Sequence, residues 1–154
     1  MTRRPFLFFS AATLAASLML SGCSVVNING TYRTDDNVIC VVPPEWDNDE
    51  IRKPLLELLT KKHFVVTVLA PGTAPSACRQ TLVYAWRREQ YWIPAVVKQY
   101  GIDMNLYVDG EYRANASFEP TRNLLSPHVK YIRFTRYLAR VLDRFFPGRP
   151  QVGA

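Results

Sequence analysis

The chain has 154 residues, 48% of them hydrophobic and 21% charged, with three cysteines and a formal charge of +6. That length closes one hydrophobic core and excludes two full domains, and the composition is that of a globular chain with no long disordered tract. Setting aside Arg3 and Arg4 in the leader leaves 17 basic against 13 acidic residues, a charge of +4, which is too mild to predict a nucleic-acid partner.

In chain order, Met1 to Arg4 is a short positive segment, Phe6 to Leu20 is apolar or small and uncharged, and the small pair Ser21-Gly22 precedes Cys23. This is the layout of a secretory signal. Fifteen residues at ~1.5 Å each fall short of a ~30 Å hydrocarbon core, so a permanent membrane-spanning helix is the weaker reading. Leu20-Ser21-Gly22-Cys23 resembles the lipobox of bacterial lipoproteins. The resemblance implies a diacylglycerol on the Cys23 thiol, removal of residues 1–22 and acylation of the new amino group. It also implies a destination: Ser24 stands where an aspartate is associated with inner-membrane retention, so the periplasmic face of a Gram-negative outer membrane is expected. Two or more acyl chains, each contributing ~0.8 kcal/mol per buried methylene, make such an anchor stable. The plainer alternatives for Cys23 are ordinary signal cleavage and a buried core thiol.

With Cys23 lipidated, Cys40 and Cys78 remain as an even pair in an oxidising compartment, and a disulfide follows. The alternative is a pair of buried free thiols on neighbouring strands. No histidine stands near them at metal-ligand spacing, so no metal site is expected.

Residues 23–36, Asn-rich and charged, read as a lipidated terminus and tether; 37–148 read as a single α+β periplasmic domain and 149–154 as a tail. Val38 to Val42 is a buried strand stopped by Pro43-Pro44. The acids Asp47, Asp49 and Glu50 open a helix that Lys61, Lys62 and His63 close, complementing its dipole. Pro54 sits either in the first turn of a shorter helix or at a kink in a longer one. Phe64 to Leu69 reads as a second buried strand. Gln80 to Arg88 reads as a third, with Leu82, Tyr84 and Trp86 favoured inward over Val83, Ala85 and Arg87. Gln90 to Tyr100 stays open, either extending the third strand with a break at Pro94 or beginning a fourth. Ile102, Met104, Leu106 and Val108, then Tyr112, Ala114, Ala116 and Phe118, supply the inward positions of a hairpin turned at Asp109-Gly110, a type I′ signal. Ser126-Pro127 opens a last helix with Tyr131, Phe134, Leu138, Val141, Leu142 and Phe145 on one stripe, ended by Pro147-Gly148.

The expected fold is therefore α+β: a four- or five-stranded, mostly antiparallel sheet with two helices packed on one face. This order, together with Leu20-Ser21-Gly22-Cys23, "CRQTLVYAWRR" and "LYVDGEYRANASF", resembles a family of small proteobacterial lipoproteins, the Sbal-type, which carries no assigned activity to transfer. At the level of architecture alone, the chain is similar to accessory lipoproteins of the envelope.

No hydrolase elbow, zinc motif or phosphate-cradling glycine loop is present. His63 and His128 sit at helix ends, where surface or capping roles are ordinary. Ser126-Pro127-His128 lacks an orienting acid. A non-enzymatic protein without cofactor or metal is expected. Two surfaces stand out as candidates. Arg133, Arg136, Arg140 and Arg144 line the polar side of the last helix and fit anionic groups of the envelope or an acidic partner. Trp86, Arg87, Arg88 and Trp92 combine aromatic and cationic character suited to sugar stacking or an interface anchor. The ordinary readings are a solvated helix face and core plus edge cover. The expected role is an envelope accessory that docks a protein partner; the alternative is a module that binds cell-wall glycan.

Overall fold

The fold is taken from a computed structural model, which describes residues 25–91, 97–119 and 131–153. The elements are β1 (Val25–Asn29), β2 (Val38–Val42), α1 (Asp49–Lys61), β3 (Val65–Val68), a 3-10 turn (Pro75–Ala77), β4 (Gln80–Tyr91), β5 (Val97–Val108), β6 (Glu111–Glu119) and α2 (Tyr131–Phe145). The six strands form one mixed sheet in the order β1-β6-β5-β4-β2-β3. β2 runs parallel to both β3 and β4, and the pairs β4/β5, β5/β6 and β1/β6 are antiparallel.

The expectation of four or five strands is corrected by β1, which lies inside the segment expected to be a tether. Val26 pairs opposite Phe118 and Ile28 opposite Ala116, and both side chains pack half-buried against the core. The intervening asparagines lower the intrinsic strand preference, but an open β6 edge and a shared apolar face outweigh it. Strand β3 is a second correction. It was expected to be buried, yet it is an edge strand whose Val65 is 62% exposed.

Helix α1 starts five residues before Pro54. The Asn48 side chain caps it by accepting from the Glu50 N–H at 2.9 Å, and Pro54 inside the helix leaves the Glu50 carbonyl without its usual donor. At the other end His63 has φ 62°. Its N–H donates to the Thr60 carbonyl, and the Phe64 N–H donates to that of Leu59. This left-handed cap brings the buried Phe64 and Leu59 together, so His63 acts through its backbone at a helix end.

The Asp109-Gly110 turn has both φ values positive, 53° and 81°, as a type I′ hairpin requires. The pairing then breaks step between Leu106 and Tyr107. Val108 faces Glu111, Tyr107 faces Tyr112, and Leu106 faces Ala114, so Arg113 is an extra residue. The two-residue turn puts Tyr112 on the outer face, 55% exposed and edge-to-face with Tyr107. This corrects its expected inward position. The bulge returns Ala114, Ala116 and Phe118 to the core.

On β4, Leu82 and Tyr84 are buried while Ala85 and Arg87 are exposed, which settles the pointing of that strand as expected. Gln90 and Tyr91 end β4, and Val97 to Tyr100 begin β5. Leu82, Leu106 and Ala114 on the sheet join Leu55 and Leu59 of α1 and Leu138 and Leu142 of α2 in one buried cluster. The opposite sheet face carries polar pairs: Arg87 with Asp103, and Asn115 donating to Asn105 at 2.8 Å.

Below the helices, Lys62 is 0% exposed. Its ammonium lies 2.7 Å from Asp143 Oδ1 and donates to the Pro150 carbonyl at 2.9 Å. Asp143 also accepts from the N–H groups of Val152 and Gly153 at 2.9 and 2.8 Å. The segment expected to be a tail is thereby docked. Burial raises the Asp143 pKa, but the Lys62 hydrogen bond and the two N–H donors together hold it below its ordinary value.

Candidate functional site

Cys40 in β2 and Cys78 just before β4 are disulfide-bonded, with Cα atoms 6.2 Å apart. The bond straps the parallel β2/β4 pair from the face opposite the core, since Ile39 and Val41 occupy the core side. Cys23 and Trp92 lie outside the described residues, as do Ser126 and His128, and nothing is described of the Arg133 side chain.

The aromatic and cationic residues of β4 do not form one cluster. Neighbours in a strand point to opposite faces, so Trp86 and Arg88 share one side and Arg87 the other. Arg87 is engaged by Asp103 and, at 3.1 Å, by Glu119. Trp86 is half-buried against Tyr100, with ring centroids 6.2 Å apart. Its indole N–H donates to the Trp46 carbonyl at 2.7 Å.

That contact leads to a residue that sequence reasoning missed. Trp46 is 85% exposed, in the loop between β2 and α1. The loop is held from beneath by Asp47, which accepts from the Tyr84 hydroxyl at 2.5 Å and pairs with Arg52 at 2.7 Å. Burial, then the hydrogen bond from its own hydroxyl to Asp47, pushes the Tyr84 pKa well above the ordinary phenol range. Tyr100, which donates to Glu50, is raised for the same reasons in the same order. Tyr84 is a fixed donor to the loop that presents Trp46, and Tyr100 a fixed donor to the first turn of α1 that follows it. The only signal in the sequence was a tryptophan among Pro43, Pro44 and Asp47, with no apolar period to give it a core position.

Arg136, Arg140 and Arg144 are exposed and recur every fourth residue along α2, as the stripe predicts. Arg140 and Arg144 lie beside β1, and the Arg140 guanidinium carbon sits 6.0 Å from the Tyr137 ring centre. Among the described residues no group of three His, Cys, Asp or Glu is placed to hold a metal ion, and no helix is long and apolar enough to cross a membrane.

No family model matches the chain, and no curated protein is similar to it in sequence. Among solved structures, it is similar to a PelC dodecamer from Paraburkholderia phytofirmans, with 16% identity and a TM-score of 0.46 over 79% of this chain and 97% of that one. It is also similar to a minor lipoprotein from Acinetobacter baumannii, with 12% identity and a TM-score of 0.36 over 75% of this chain and 98% of that one.

Proposed function

We propose that the protein is a lipid-anchored accessory of the bacterial envelope: a single domain that includes β1 and the docked segment after 149 as well as residues 37–148, held through acylated Cys23 on the periplasmic face of the outer membrane, that docks a protein partner without performing chemistry. The observation that carries this reading is the leader, a positive start and an uncharged apolar run ending in Leu20-Ser21-Gly22-Cys23. Two features of the fold support it. Strand β1 begins at Val25, two residues past Cys23, so an anchor on Cys23 would join the domain beside a strand at the sheet edge. At the other edge β3 exposes Val65 and Val68, where the described residues leave a row of backbone groups open to a partner strand. In separated membranes, wild-type protein is expected in the outer-membrane fraction and Cys23→Ser in the soluble periplasmic fraction. Equal membrane retention of both removes the anchor.

A second reading, a module that binds cell-wall glycan, is favoured by Trp46, whose ring is open while its backbone is fixed by Trp86. Stacking of a sugar on such a ring is worth ~1 kcal/mol or more. Under this reading Trp46→Ala lowers co-sedimentation with purified peptidoglycan about fivefold or more. Unchanged sedimentation excludes Trp46 as the platform.

A further inference from the structure

Strand β1 and helix α2 enclose a groove of about 220 Å³ lined by Val26, Tyr137, Arg140, Val141 and Arg144. Val141, fully buried, backs the groove, and Tyr137 in its wall stacks on Phe118 with centroids 5.0 Å apart. Its rim is cationic. Among the described residues neither Arg140 nor Arg144 makes an ion pair, and the nearest acid along the helix, Asp143, is taken up by Lys62 and two backbone N–H groups. The dipole of α2 accounts for a cation at Arg144 in its last turn; Arg140 lies one turn earlier, with its guanidinium carbon 6.0 Å from the Tyr137 ring centre.

The position of the groove along the chain identifies its occupant. Val26 is three residues after Cys23, a span of at most about 11 Å when extended. Acyl chains on Cys23 place that point at the top of the hydrocarbon layer, and the polar headgroup layer above it is about 5–8 Å thick. On that reading Arg140 and Arg144, which line the groove beside Val26, come within reach of the headgroup layer, where guanidinium groups bind phosphates through paired, charge-assisted hydrogen bonds.

We propose that the groove between β1 and α2 binds the phosphate of an anionic phospholipid headgroup in the leaflet that holds the acyl chains of Cys23. The proposal rests on the anchored reading. It adds that the lipid surface is bound by a headgroup site as well as by acyl chains, which fixes how the domain is turned toward the periplasm. Each arginine near an anionic surface contributes about fivefold in affinity, so the pair gives a preference of roughly thirtyfold for an anionic over a zwitterionic headgroup.

The test uses the full chain, processed in cells and purified in neutral detergent, mixed with phosphatidylglycerol or phosphatidylcholine and weighed by native mass spectrometry. Wild type is expected to retain one phosphatidylglycerol with roughly thirtyfold preference. Arg140→Gln with Arg144→Gln is expected to lose that preference with an unchanged melting temperature, both side chains being exposed. Arg136→Gln, on the same helix but outside the groove, keeps it. Equal retention of the two lipids by wild type, or survival of the preference in the double variant, overturns the headgroup site. The same spectra report acyl mass on Cys23, so failure of the anchor is read separately from failure of the groove.

Discussion

Replacing Cys40 and Cys78 together by alanine is expected to lower the stability of the folded domain by about 4 kcal/mol. The bond spans 38 residues, and releasing it returns the closure entropy of that whole loop to the unfolded chain. The loop contains α1 and β3, so the unfolded state gains freedom over one of the six strands and one of the helices. Cys40 is buried on the non-core face, where truncation to alanine removes only the sulfur and leaves the β2/β4 pairing in place. Chemical denaturation of the oxidised wild type, the reduced wild type and the double variant checks the value. The last two should agree with each other and melt roughly 10–20 °C below the first. A double variant as stable as the oxidised wild type contradicts a stabilising bond.

Asp143→Ala is expected to cost about 4 kcal/mol. The substitution strands the fully buried Lys62 ammonium with only the Pro150 carbonyl and frees the N–H groups of Val152 and Gly153. Adding Lys62→Met to that variant should recover part of the loss, because the penalty comes chiefly from an unpaired buried charge. The pair also sets an acid limit. The folded Asp143 carboxyl titrates below its ordinary 3.8, so below that value the unfolded chain takes up the proton first. The stabilisation is complete above about pH 5 and is lost as the pH falls through the folded value. Urea midpoints that decline below about pH 5 in wild type, with a shallower decline in Asp143→Ala, are the expected result.

The parts legible in the sequence were those written in local chemistry. Asp109-Gly110 with alternating flanks specified its own turn, and the acids and bases around Ile51 to Lys61 specified a helix. The pairing of Cys40 with Cys78 followed from the compartment that Cys23 implies. What was not legible depended on partners distant in the chain. Val25 to Asn29 becomes a strand because β6, far along the chain, offers it an edge. Phe64 to Leu69 looked buried because it is β-branched, but its place at the end of the sheet leaves Val65 and Val68 exposed. Tyr112 departs from the alternation because the bulge at Arg113 lies between it and the inward Ala114. For the candidate site, adjacency in sequence was misleading: Trp86 and Arg87 are neighbours on opposite faces, while Trp86 meets Trp46 across 40 residues. The arginines of α2 were legible as a stripe, but the groove beside them needed β1.

The proposed lipidation of Cys23 underlies the proposed compartment, its oxidising conditions and the headgroup site beside α2. The mass of the N-terminal peptide from the membrane-bound mature chain tests it most directly. The predicted peptide begins at Cys23 and carries a thioether-linked diacylglyceryl group; a chain that retains residues 1–22, or one that begins at an unmodified Cys23, contradicts lipid anchoring.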